Sequence, residues 1–248
     1  MIQNPSEPMD DMNDSYPESI TNLNVSDSTA KNYLTKGIEC MNRGSYDEAL
    51  SLLQRCLKAL KKHPCGYMES LVHTKIAEVY MHQGLHHEAL EMNRKALDIL
   101  QTRSVAEADE IKGKICNDIA AELFKETHYD EALTMYQKAL QAYQKSPDKT
   151  NEHIIADVYR CIGSTYMSLE LYEEALEAFE KALDILPLED ALTATVYFEM
   201  AATYKRQGEY EKSLKKYKQA HEISRNVLGE DHPETEAAAY EIGLFRNI

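Results

Sequence analysis

The sequence predicts an all-α fold, a solenoid of antiparallel helix pairs. Two observations predict it. The first is a recurring pentapeptide: Tyr46-Asp-Glu-Ala-Leu50 returns as His86-His-Glu-Ala-Leu90, Tyr129-Asp-Glu-Ala-Leu133, Tyr172-Glu-Glu-Ala-Leu176 and Tyr210-Glu-Lys-Ser-Leu214. Its small fourth residue sits at Ala49, Ala89, Ala132, Ala175 and Ser213, so the spacings are 40, 43, 43 and 38 residues. A fixed long period marks stacked units that cannot bury their apolar faces alone. The second observation is apolar periodicity at 3.6 residues from about Ala30 onward, with small residues where two helices must approach closely.

The elements follow in order. Residues 1–28 hold Pro5, Pro8 and Pro17, five serines and six acids, with no Lys or Arg before Lys31. Too few apolar residues are present to offset chain entropy, so this segment is expected to be a disordered acidic tail. The array is expected over 29–248. In the first unit Tyr33, Gly37 and Cys40 share one helix face, Gly44 breaks the helix, and Tyr46 opens a second helix bearing Ala49, Leu53, Cys56 and Leu57. Gly84 and Gly208 hold the turn place of Gly44 in the second and fifth units, where a left-handed helix cap is expected. The fourth unit sets Tyr159, Ile162, Gly163 and Tyr166 on one helix, then Tyr172, Ala175, Phe179, Ala182 and Leu183 on the next, ending at Pro187. Pro64, Pro147, Pro187 and Pro233 fall between units, where one pair ends and another begins. Thr235 to Ile248 reads as a sixth first helix without a second, closing the stack as a cap.

The set Tyr159, Ile162, Gly163, Tyr166, Ala175, Phe179, Ala182 and Pro187 resembles the tetratricopeptide (TPR) consensus. The resemblance covers about residues 30–248 and implies a right-handed superhelical solenoid. A TPR unit has about 34 residues, so the longer period here implies lengthened helices or longer links. In this it is similar to kinesin light chains and related cargo adaptors, as is Asn226-Val-Leu-Gly-Glu-Asp-His-Pro-Glu-Thr235 to their junction between repeats. Only one junction shows that pattern. No heptad coiled coil precedes the array, and the first helices lack an Asn-rich signature.

The balance of 27 basic to 42 acidic residues, a net charge of −15, argues against phosphate-driven nucleic-acid binding and against an anionic membrane surface. No 18-residue apolar run suggests a membrane span, and the N-terminus lacks the basic start and apolar stretch of a signal peptide. Cys40, Cys56, Cys65, Cys116 and Cys161 form no Cys-x-x-Cys pair. Free buried thiols in a reducing cytoplasm are the expectation, with a redox-sensing thiol as the alternative. No glycine-rich phosphate loop, nucleophile turn or carboxylate pair suggests an enzyme, and no cofactor is implied. His82, His86 and His87 cluster, but Gly84 separates the first two, so turn histidines are expected rather than a metal site. Met41, Met81, Met167 and Phe124 recur late in the first helices, as core packing or as a soft binding stripe.

The resemblance also implies where a partner binds. The inner surface of a TPR array is formed mostly by the first helix of each pair, at its second, fifth, sixth, ninth and thirteenth places. These are Lys31, Leu34, Thr35, Ile38 and Asn42, then Leu71, Thr74, Lys75, Glu78 and His82. The third unit gives Lys114, Asn117, Asp118, Ala121 and Lys125, and the fourth Asp157, Arg160, Cys161, Ser164 and Ser168. The fifth gives Thr195, Phe198, Glu199, Ala202 and Arg206. Six of these are basic and four acidic, against the acidic excess of the whole chain. Such a surface would attract an acidic peptide, with Lys75, Glu78, Lys114, Asn117, Arg160, Ser164, Phe198 and Arg206 as the expected contacts. Solvated faces with chance scatter in so few charges are the alternative. A chaperone clamp is disfavoured: of Leu34, Ile38, Lys75, Lys114 and Asp118 at its places, only Lys114 fits.

The expected function is a non-catalytic adaptor or scaffold, with a ligand-responsive regulatory receptor or co-chaperone as the alternative. The acidic tail beside the groove would either occlude it, similar to the acidic segment of kinesin light chains, or serve only solubility.

Overall fold

The computed structural model describes residues 28–62, 64–102, 108–145 and 151–245. The expected acidic tail and Pro147 lie outside the described residues. Those residues form eleven helices: α1 (Ser28–Asn42), α2 (Tyr46–Leu60), α3 (Gly66–His82), α4 (His86–Thr102), α5 (Asp109–Lys125), α6 (Tyr129–Lys145), α7 (Glu152–Ser168), α8 (Tyr172–Leu183), α9 (Ala191–Arg206), α10 (Tyr210–Leu228) and α11 (Pro233–Leu244). Five hairpins, α1–α2 through α9–α10, stack in chain order, and α11 packs on α10. We call the first helix of each hairpin A and the second B. The long period is explained chiefly by helix length. Helices α3 to α7 run 17 residues each, whereas α8 has 12.

One turn is repeated five times. Ser45 N–H donates to the Cys40 carbonyl and Gly44 N–H to that of Met41, at 2.9 and 2.8 Å. The same pair of bonds recurs from Leu85 and Gly84, His128 and Thr127, Leu171 and Glu170, and Glu209 and Gly208. This double bond closes a helix only if the residue after it takes left-handed backbone angles. Gly44, Gly84 and Gly208 do so at φ of 74°, 73° and 80°. Thr127 and Glu170 take the same conformation at 63° and 62°, with a Cβ that resists it.

Every small fourth residue of the pentapeptide, from Ala49 to Ser213, is completely buried. Across each hairpin, A and B approach closely. A Cβ on Gly163 would lie 2.5 Å from the Phe179 ring, one on Gly113 2.9 Å from the Tyr143 ring, and one on Gly37 3.1 Å from Leu53. Side chains also reach across to backbone: Ser70 donates to the Ala96 carbonyl at 3.1 Å and Ser213 to that of Ala201 at 2.8 Å. The apolar clusters run along the stack, one of them holding residues from Tyr67 to Ala178. Met41, Met81, Phe124 and Met167 are half-buried, and Met41, Phe124 and Met167 pack on these clusters.

The 226–235 junction has a definite geometry. Gly229 ends α10 at φ 99°, and Pro233 opens α11 behind a His232 whose ring accepts the Glu234 N–H. Thr235 donates to the Gly229 carbonyl at 2.8 Å, as Thr193 does to Pro187 at 2.7 Å. The two threonines therefore hold equivalent places, 42 residues apart (235 − 193), and α11 repeats the start of α9.

Candidate functional site

The A helices are joined into one face by polar side chains that reach from each hairpin to the next. Glu78 on α3 accepts from Lys75 of its own helix and from Lys114 of α5, both at 2.9 Å. Burial would raise the Glu78 pKa, but Lys114 and Lys75 outweigh it and hold this carboxyl below its usual range. Arg160 on α7 pairs with Asp157 at 2.7 Å and with Glu199 of α9 at 2.8 Å. Ser164 donates to the other Glu199 oxygen. Lys205 reaches Glu241 of α11 at 2.7 Å.

Lys75, Glu78 and Lys114 thus form one cluster, and Arg160, Ser164 and Glu199 another. Both span neighbouring hairpins on the A-helix face. Asn117 is half-buried between them in sequence order, and its Oδ1 is itself buried with no hydrogen-bond partner among the described residues. Asp118 lies within electrostatic reach of Lys114, Glu78 and Lys75, and burial pushes its carboxyl up to about 6. Arg206 is exposed at the end of α9. Phe198 is half-buried, its ring edge-on to Tyr217 at 5.1 Å.

Three residues expected on the surface are not there. Leu34 and Ile38 are buried in the first core cluster, and Thr74 is buried with its hydroxyl on the Ser70 carbonyl. The fifth and ninth places border the stripe facing the core, so apolar or self-bonded side chains there turn inward. The six-to-four excess of basic residues also loses its simple meaning. Lys75, Lys114 and Arg160 are already paired by acids of the same face, and Lys125 by the buried Glu122 at 2.9 Å.

The histidines have structural partners. His86 Nδ1 lies 2.8 Å from Oε2 of the buried Glu122. His82 stacks on Tyr46 at 5.3 Å. No disulfide joins the five cysteines among the described residues. Burial pushes the Cys116 and Cys161 thiols up to about 11, which leaves them protonated and weakly nucleophilic.

The tetratricopeptide repeat family model matches residues 68–145, 116–188 and 192–244, well over half of the chain. The chain belongs to the tetratricopeptide repeat family. Solved TPR-type structures share its fold at low identity. MamA superposes with a TM-score of 0.61 at 21% identity, covering 82% of this chain and 96% of that one. BtubC (BKLC) from P. vanneervenii gives 0.68 at 22%, covering 79% and 80%. The apo form of the quorum sensor NprR from B. thuringiensis gives 0.65 at 20%, covering 88% of this chain and 58% of that one. A search of curated protein sequences finds no match. The expected TPR solenoid is therefore the fold found, and the scaffold is of a protein-interaction type. No helix among the described residues is long and apolar enough to cross a membrane.

The register of the TPR array also exposes groove residues that the sequence reading missed. Shifting the α9 places by the same 42 residues puts Ala237, Tyr240, Glu241 and Leu244 of α11 at the second, fifth, sixth and ninth places. Lys205 bonding Glu241, and the packing of α11 beside α9, agree with this. The sequence carries the signal, since its terminal segment reads as a sixth A helix with groove places of its own. Beside Phe198 lies a pocket of about 120 Å³, lined by Ala194, Thr195, Phe198, Ala220, Ser224, Glu234 and Ala237. A larger depression of about 390 Å³ lies at the first hairpin turn, around Gly44, Asp47, Glu48 and Gln83.

Proposed function

We propose that this TPR protein is a non-catalytic adaptor that holds a peptide segment of a partner along its A-helix face. The observation that supports this is the polar ladder, Lys75–Glu78–Lys114 and Arg160–Glu199–Ser164. It sets cations, carboxylates and hydroxyls on consecutive A helices. An acidic segment suits the ladder by exchange. Its carboxylates would compete with Glu78 and Glu199 for Lys75, Lys114 and Arg160, forming charge-assisted bonds to cations already positioned on this face. Calorimetric titration of the full chain with Asp/Glu-rich and Lys-rich peptides of equal length tests this. The acidic peptide is expected to bind, and Lys114→Glu plus Arg160→Glu to weaken it with helical content unchanged. Equal binding of both peptides, or indifference to the double reversal, would refute the exchange.

A second reading, a ligand-responsive receptor, is favoured by one feature of the same ladder. Glu78–Lys114 and Arg160–Glu199 each cross from one hairpin to the next, so a ligand that competes for them acts on hairpin-to-hairpin geometry. A change in small-angle scattering radius on peptide addition supports the receptor; an unchanged radius supports the rigid adaptor.

A further inference from the structure

The groove changes character at its C-terminal end. Along α3 to α7 its groove places hold paired ions, but at α9 and α11 Phe198, Ala202, Ala237, Tyr240 and Leu244 stand beside the paired Glu199 and Glu241. Tyr240 is 68% exposed and Leu244 39%, both on the last A helix. Large apolar side chains left in water are informative when they adjoin a pocket. Here Ala237 lines the 120 Å³ pocket, and Tyr240 and Leu244 follow it at three and seven residues along one stripe of α11. The pocket walls are almost entirely apolar, from Ala194, Phe198, Ala220 and Ala237. An apolar cavity of about 150 Å³ takes a benzene ring, so this volume suits one branched aliphatic side chain.

The pocket carries a single carboxylate. Glu234 lies in the first turn of α11, where the helix dipole favours its charge, and Thr195 contacts its Oε2 at 3.4 Å. This leaves acceptor capacity at the pocket wall, the complement of a cation rather than of another acid.

We propose that this end of the groove is a specificity sub-site for an aliphatic side chain flanked by a lysine or arginine of the bound peptide. The aliphatic group enters the pocket beneath Phe198, its stem covers Ala237 and Tyr240, and the neighbouring cation pairs with Glu234. The inference rests on the peptide-adaptor reading and adds a residue preference to it. The ladder orients the segment, while the pocket chooses its end.

The test is selection of a random twelve-residue phage-displayed library on the full chain, followed by titration of the enriched synthetic peptides. The expected sequences carry Leu, Ile or Val beside Lys or Arg. Ala237→Leu, on the exposed side of α11, fills the mouth of the pocket and should weaken these peptides about tenfold or more, the scale of one aliphatic side chain kept in water. Glu234→Gln should weaken them by about three- to tenfold and flatten their salt dependence. Enriched peptides that bind both variants as tightly as the wild type would overturn the sub-site while leaving the groove reading intact. The same holds for selection of acidic sequences without an aliphatic residue. If no peptide is enriched, the adaptor reading fails first and the sub-site with it. Sedimentation of the free protein covers the remaining occupant. A concentration-dependent dimer abolished by Ala237→Leu would assign the pocket to a second copy of the chain and overturn the proposal.

Discussion

Replacing Gly163 by Ala tests how closely the helices of a hairpin approach. A Cβ built there falls 2.5 and 2.6 Å from two Phe179 ring carbons and 2.9 Å from a third, on a ring that is completely buried. Carbon atoms pack best at roughly 3.5–4.0 Å, so the ring must retreat by about 1 Å. Overpacking of that size costs about 1–3 kcal/mol. Against it, Ala is favoured over Gly inside a helix by about 1 kcal/mol. On balance the clash outweighs this, and Gly163→Ala should lose up to about 2 kcal/mol. Gly37 faces Leu53 at 3.1 Å, and a leucine can give a few tenths of an ångström. There the two effects nearly cancel, to within about 0.5 kcal/mol. Gly243 meets nothing within 4 Å, because no B helix follows α11 among the described residues. Gly243→Ala should therefore be neutral or slightly stabilising. Urea and thermal denaturation of the three variants give the order, with about 2–4 °C expected per kcal/mol at this size. Adding Phe179→Leu to Gly163→Ala should recover part of the loss as a coupling energy. If Gly163→Ala melts at or above Gly37→Ala, or the double variant shows no coupling, the packing argument is wrong.

Three further outcomes follow from single residues. Asn93 is fully buried with neither amide atom bonded among the described residues, at the place that Leu53, Tyr136, Phe179 and Tyr217 fill in the other hairpins. Asn93→Leu should stabilise by about 1–3 kcal/mol, read as a higher urea midpoint; no gain would mean that the amide is satisfied. Thr127 holds the left-handed turn place that Gly fills elsewhere, so Thr127→Gly should stabilise by about 1 kcal/mol, and a loss in thermal denaturation would contradict the strain. The Asp118 carboxyl, raised to about 6 from 3.8 by burial, binds a proton in the folded state that the unfolded chain has released. Its contribution to stability is thus greatest below pH 4 and is lost as pH rises to 6. The limit is about 3 kcal/mol, reduced because the side chain is only half-buried. Asp118→Asn should flatten that decline and be about 1–2 kcal/mol more stable at pH 7; an unchanged pH profile would remove the shift.

The solenoid was legible because its signals are local and repeated. The small residue of each pentapeptide, the glycine at three of the turns and the proline between hairpins each state one requirement of a helix pair, and their recurrence at a long period separates them from chance. Even the two hairpins without a turn glycine keep the turn's pair of backbone bonds, with Thr127 and Glu170 in the left-handed conformation. The candidate groove was legible only as a set of places. Register named Lys75, Lys114 and Arg160, but counting charges along the chain treated each as free.

What the sequence by itself determined is the periodic part: helix pairs, their order, their turns and the face that each A helix offers. Periodicity is a property of consecutive residues, so it survives in one dimension. Only the tertiary structure decided which charges on that face are spent. Glu78 lies 36 residues from Lys114 and Glu199 lies 39 from Arg160, and they meet because stacking sets A helices side by side. It also decided that Leu34 and Ile38 turn inward, and that Phe198, Ala220 and Ala237, from three different helices, enclose one apolar pocket. Pairing and enclosure depend on distances across the stack, and no single helix contains them.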